Sequence, residues 1–337
     1  MASKSQEFRQ RLAKSTGLTD SAINAAWPEW WSDAADASPS AQAELRFSLA
    51  RNLGLDPLTV LDEQSPQFIW DDSAKYKNFR GNDQHDKPAI TAFGKSVARM
   101  LVKSVKQVEI LDGVTASKLR HLILKNNPHV GLLELLATMW GIGVPVIHLR
   151  VYPLAAKKMS AMVARLKDRY AILLAKDSLY PASIAFYLAH EIGHIACGHV
   201  ETGSALLDME EDDNSQEKDD EEIEADRYAL ELLTGNPDFE IAKQGQGHNA
   251  RELANKALTL GSHNRIEPGT LALCYGYATG EWAIVQNAMK HIYTDPIPAW
   301  KVVNRIASHQ MDWQNLSDES VHFVKAVMGG ANGLGID

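Results

Sequence analysis

Residues 181–196 read Pro181-Ala182-Ser183-Ile184-Ala185-Phe186-Tyr187-Leu188-Ala189-His190-Glu191-Ile192-Gly193-His194-Ile195-Ala196. Proline suits the first turn of a helix, where its missing N–H is no loss, so a helix is predicted over about Ala182–Ala196. On a helix His190 and His194 lie one turn apart on one face, and both imidazoles reach a single cation. Glu191 stands beside that face, where a carboxylate can hold a nucleophilic water and take its proton during attack on a carbonyl. The pattern HExxH therefore nominates His190 and His194 as zinc ligands and Glu191 as catalytic base.

A tetrahedral catalytic zinc needs a third protein ligand and one open position. A metzincin-type third histidine would fall at position 200, which is Val200; His199 is one residue off. The search moves downstream to Glu221-Glu222-Ile223-Glu224-Ala225-Asp226-Arg227-Tyr228-Ala229. Glu222 and Asp226 are i,i+4 on one helical face, so one can bind metal while the other orients a ligand histidine. Glu221 and Glu224 are alternative ligands. Cys197, about one turn past His194, reads as a small buried hydrophobe or an inhibitory ligand. His199 reads as a helix-end or surface residue. Tyr170, Tyr187, Tyr228 and His263 are candidates to stabilise an oxyanion.

Upstream of the motif helix, Val144–Arg150 is β-rich. Residues 161–166 and 170–174 read as a hairpin with Asp168 in the turn. Substrate is expected along an edge strand drawn from segments 161–174. A second helix begins inside the acidic run and reaches about Leu233, where Gly235 stops it. Residues 1–62 read as short helices and residues 63–90 as a linker. Ala89–Lys106, Leu119–Leu124 and Gly131–Trp140 read as helical, as does most of the chain from Asp238 onward. No internal repeat is present.

The chain has 337 residues, 45% hydrophobic and 23% charged, which excludes a low-complexity chain and suggests roughly two domains. No apolar run approaches a membrane span, and the polar N-terminus has no secretory apolar region. Two cysteines, Cys197 and Cys274, exclude a disulfide framework or a four-cysteine zinc site and fit a reducing cytoplasm. Of the net charge of −9, the window Asp208–Asp226 carries −11 (twelve acids against Lys218), so the remainder is nearly neutral. Such a run reads as a solvated loop, or as a lid or docking patch for a basic partner. Acids outnumber bases in residues 1–62, which argues against direct nucleic-acid binding there. Trp27, Trp30 and Trp31 read as a small core or interface.

The stretch from about Leu132 to Leu233 resembles the ImmA/IrrE family of zinc metallopeptidases. LLELLATMWGIGVPVIHL, the strand ending YAILLAK, FYLAHEIGHIACGH and EEIEADRYALELL carry the resemblance. RNLGLDPLTVLDEQSPQFIW resembles sequence upstream of the core in some relatives. The resemblance implies that His190, His194 and Glu222, the first glutamate of ExxAD, hold Zn2+, and that Glu191 is the base. It also implies a cytoplasmic, site-specific protease acting on a transcriptional repressor or other regulatory protein, in stress response or mobile-element control.

The expected fold class is α+β: a zincin-like metallopeptidase core, with a small β-sheet packed on the HExxH helix and mostly helical N- and C-terminal regions. The expected organisation is a helical region and linker at 1–88, the core at 89–236 with an acidic insert at 205–221, and a helical region at 237–337. Asp226 is expected to orient a ligand. The expected partner is a protein substrate, a DNA-binding repressor among the candidates, with no membrane. The competing reading is a regulatory module that keeps the metal site, cleaves nothing, and acts through contact with a repressor or DNA.

Overall fold

A computed structural model describes residues 4–61, 65–69, 74–77, 86–106, 111–155, 159–209, 219–239 and 249–330. The N-terminal helices are α1 (Lys4–Thr16), α2 (Asp20–Ala26), α3 (Asp33–Asp36), α4 (Pro39–Leu53) and α5 (Pro57–Leu61). Next come β1 (Ala74–Lys77), α6 (Lys87–Lys103), α7 (Ala116–Leu124), α8 (Leu132–Ile142), β2 (Val146–His148), β3 (Met159–Leu166) and β4 (Arg169–Leu174). The motif helix α9 (Pro181–Ala196), β5 (Ala205–Met209) and α10 (Asp220–Thr234) follow. The C-terminal helices are α11 (Ala250–Asn264), α12 (Pro268–Thr279), α13 (Trp282–Ile292), α14 (Ala299–Gln310) and α15 (Asp318–Val327). The protein is α+β, with one five-stranded mixed sheet among many helices.

The sheet order is β1-β5-β3-β4-β2. The outer pairs β1/β5 and β4/β2 are parallel, and β5/β3 and β3/β4 are antiparallel. Side chains alternate between the faces of a strand, and here both faces are apolar. Ala161, Val163, Ile172, Leu174 and Leu206 share a core with α8 and α9, and α10 packs on the far side of that core against α9. Met162, Ala164, Ala171, Leu173 and Leu207 face α6 and share one core with the N-terminal helices and α15. Helices on both sides thus bury most of β2, β3, β4 and β5, while β1 at the edge is only partly covered.

The predicted hairpin is present, with Lys167 (φ 60°) and Asp168 in its turn. Its proposed use as a substrate-binding edge is not compatible with the sheet. β3 lies between β5 and β4, and β4 lies between β3 and β2, so both hydrogen-bonding edges of each strand are already paired. The sheet's outer strands are β2 and β1. The free side of β2 is closed by Asn304 of α14, which accepts from His148 N (2.7 Å) and donates to His148 O (2.8 Å). The segment expected as a linker at 63–90 supplies β1. The insert expected at 205–221 begins too early, because Ala205–Met209 is the buried strand β5, and 219–221 cap and open α10. The acidic positions between these, Glu210 to Glu217, lie outside the described residues.

Two features fix α10 against α9. Gly193 leaves room for close approach: a Cβ there would stand 3.1 Å from Ala225 O and 3.2 Å from Tyr228 Cβ. Gly193→Val should therefore push the helices apart, costing about 1–3 kcal/mol and displacing Glu222 from the histidines. Thermal unfolding with and without zinc checks this; a normal melting temperature that still rises normally with zinc would contradict it. The ends of α10 are also pinned. Asp219 accepts from Glu222 N (2.9 Å) as N-cap, and Lys77 of β1 grips Asp219 (2.6 Å) and Glu221 (2.8 Å). At the other end buried Arg120 donates to Leu232 O (3.0 Å) and Leu233 O (2.8 Å), where Gly235 turns left-handed.

Candidate metal centre

Helix α9 and helix α10 bring His190, His194 and Glu222 together. His190 Nε2 and His194 Nε2 are 3.0 Å apart. Glu222 Oε2 lies 3.4 Å from His190 Nε2, and Glu222 Oε1 lies 3.3 Å from His194 Nε2. Zinc bonds of about 2.0–2.1 Å put tetrahedral ligand atoms roughly 3.3 Å apart. Each imidazole nitrogen thus has the other nitrogen and one Glu222 oxygen at about this spacing, and the group can converge on one cation. All three side chains are buried.

The polar atoms left over support the same fit. Glu222 Oε1 accepts no hydrogen bond, and neither oxygen of Glu191 has a hydrogen-bond partner although Glu191 is 0% exposed. A buried carboxylate with no donor is costly unless a cation or polar ligand meets it. Burial raises the Glu191 carboxyl well above its ordinary range, against the attraction of His190 and with added repulsion from Asp208 and Glu222. Burial opposes a charged His190, but hydrogen bonds to Asp226 and Glu222 outweigh it and push its pKa up to about 10. Burial pulls His194 down to about 4 against the pull of Glu222. Burial would raise the Glu222 carboxyl, yet the adjoining His190 and His194 rings hold it below the usual range. Without a metal, a charged His190 thus balances the Glu222 and Asp226 carboxylates, the place a divalent ion would take.

Each histidine has a partner on its far nitrogen. His190 Nδ1 lies 2.9 Å from Asp226 Oδ1, so an Nδ1–H donated there leaves Nε2 free as a ligand. Asp226→Ala should lower zinc affinity by about 10–100-fold, and Asp226→Asn, which keeps an accepting oxygen, should recover most of it. Competition against a chromogenic chelator measures both, and equal affinity in the alanine variant would remove this role.

His194 is supported differently. Helix α9 ends at Cys197; Gly198 (φ 79°) turns left-handed, and His199 N donates to His194 O (3.0 Å). The turn folds the His199 ring back, so that His199 Nδ1 lies 2.8 Å from His194 Nδ1 and His199 Nε2 lies 3.1 Å from Glu224 Oε2. With His194 Nε2 free for metal, His194 Nδ1–H donates to His199, and His199 Nε2–H donates to Glu224. Sequence reasoning misses this chain of rings. The available signal is a glycine after the helix followed by a histidine.

The remaining candidates fall elsewhere. Glu221 is held by Lys75 (3.2 Å) and Lys77, away from the histidine pair. Glu224 pairs with His199. Cys197 joins His199 and Glu224 rather than the inner ligands, and burial together with Glu224 pushes its thiol up to about 11. Tyr170 O–H donates to Asp112 (2.6 Å) and Tyr228 O–H to Val114 O (2.9 Å), so both are committed. His263 Nδ1 bonds Thr259 O on α11. Tyr187, half-buried, stands one turn before Glu191 on α9.

Among the described residues no helix is long and apolar enough to cross a membrane. Compared with known proteins, the chain has no match among curated proteins or solved structures. It does match the family model described as Peptidase U49 over residues 157–270, a span running from β3 through α9, β5 and α10 to the start of α12. The candidate centre, His190, Glu191, His194, Glu222 and Asp226, lies wholly inside the part of the chain that resembles this peptidase family.

Proposed function

We propose that the protein is a zinc-dependent endopeptidase of ImmA/IrrE type. The observation that carries the reading is the cluster of His190 Nε2, His194 Nε2 and the two Glu222 oxygens, one oxygen beside each nitrogen, at 3.0–3.4 Å, inside a span that resembles a peptidase family. His190, His194 and Glu222 hold the ion, and Asp226 and His199 orient the two imidazoles. Zinc, when bound, acidifies water and polarises a carbonyl. Glu191 accepts the proton of the attacking water on a carboxylate oxygen. It then delivers that proton to the amide nitrogen as the C–N bond breaks, leaving one new carboxyl and one new amine.

The substrate is a regulatory protein, a transcriptional repressor in the first instance, in stress response or mobile-element control. This part rests on the sequence resemblance. A cytoplasmic setting rests on two free cysteines.

Elemental analysis of purified wild type and His194→Ala tests the metal reading. About one tightly held zinc per chain in the wild type and little in the variant is the expected result. Folded wild type that takes up no zinc when it is supplied would overturn it.

A further inference from the structure

A second group of ligating atoms lies just outside the first. Cys197 Sγ, His199 Nε2 and a Glu224 oxygen lie within 4.8 Å of one another. His199 Nε2 and Glu224 Oε2 are 3.1 Å apart. The burial is graded: His199 is buried, Cys197 half-buried, and the Glu224 side chain 63% exposed. Three different elements of local structure converge here. Cys197 is the C-cap of α9, His199 follows the left-handed Gly198, and Glu224 projects from the second turn of α10. In the proposed hydrolysis Cys197 has no part.

We propose that Cys197, His199 and Glu224 form a second metal site, for a borderline-soft divalent ion of the zinc class, with its remaining position open to solvent. The donor chemistry selects the ion. A thiolate and an imidazole favour zinc or cobalt over magnesium and calcium, which demand oxygen. Three protein ligands and one open side match a zinc coordination sphere completed by water. The ion displaces the Cys197 thiol hydrogen and the His199 Nε2 hydrogen that now face Glu224; both protons pass to solvent, and the one proton left between the facing Nδ1 atoms is shared by His199 and His194. This site therefore fills after the inner one, whose ligands converge without a thiol. His199 also touches His194, so an ion at the outer site sits one ring away from an inner ligand.

Cobalt distinguishes the two sites, because only the outer one offers sulfur. Metal-free full-length protein is titrated with Co2+ and followed by absorbance. The first equivalent should give visible d–d bands alone. The second should add a near-ultraviolet thiolate-to-cobalt band, with about two ions per chain in total. Cys197→Ala should lose that band and bind about one ion, while Cys274→Ala should keep both. Glu224→Gln, the second variant should Cys197→Ala fail to fold, should keep the first equivalent and weaken the second by about tenfold or more. No near-ultraviolet band at excess cobalt, or a band that survives Cys197→Ala, would overturn the proposal. A thiolate band without the first set of d–d bands would instead support the outer site and count against the zinc peptidase reading.

Discussion

Glu191→Gln leaves zinc content unchanged and lowers peptide cleavage by about 10²–10⁴-fold. Glutamine keeps the shape of the side chain but cannot take a proton. The proposed ligands His190, His194 and Glu222 are untouched, and neither Glu191 oxygen has a hydrogen-bond partner whose loss would disturb the fold. Mass spectrometry of new peptide termini, after wild type or variant is incubated with a cell-extract proteome, measures the loss. Equal termini from both proteins would dismiss Glu191 as the base. A biological output that survives the loss of cleavage would favour the competing reading of a binding module.

The same substitution carries a pH signature in metal-free protein. Burial raises the folded carboxyl of Glu191 above its unfolded value, so the folded state favours its neutral form. The stability this group contributes is present below the unfolded carboxyl pKa and is lost as pH rises through the folded one. The amide of the variant does not titrate and carries no such dependence. The stability of Glu191→Gln relative to wild type should therefore improve as pH rises above the ordinary carboxyl range, read from urea unfolding in the presence of a chelator.

Glu222→Gln should lower zinc affinity by about 10²–10³-fold, the second large effect. Structural zinc in peptides is held by about 10–16 kcal/mol over four ligands, so one ligand is worth roughly 2.5–4 kcal/mol. The neighbouring substitutions separate the assignment. Glu221 is engaged by Lys75 and Lys77, and Glu224 by His199. Neither Glu221→Gln nor Glu224→Gln should approach the Glu222→Gln loss at the inner site. Chelator competition on the three variants decides it, and a larger loss at Glu221 or Glu224 would move the third ligand.

The contrast between Glu222 and its neighbours marks how far the chain is legible without its fold. The two histidines are legible because their relation is local: four residues on a helix is one turn whatever the rest of the molecule does. The hairpin and the stop at Gly235 are legible for the same reason. The third ligand is not fixed by periodicity, since Glu221, Glu222 and Glu224 lie within one turn of the same helix. Their facing depends on the rotation of α10 against α9. That rotation is set by contacts remote in sequence: the bare backbone at Gly193 against Ala225, Lys77 on Asp219 and Glu221, and Arg120 on the last carbonyls.

Composition misleads where strand pairing decides. Polarity marks residues 63–90 as a linker, yet Ala74–Lys77 pairs with Ala205–Asp208. Segments 161–174 look like an edge, yet β2 and β5 close them on either side. Strand order is a choice among partners distant in sequence, and one strand's alternation says nothing about which partner it takes. The sequence by itself determined the chemistry of the motif helix, because helical spacing converts directly into a shared face. Only the tertiary structure decided which carboxylate meets the two histidines, which ring lies against His194, and where Cys197 finds its neighbours. Each of those depends on side chains from separate elements meeting within a few ångströms.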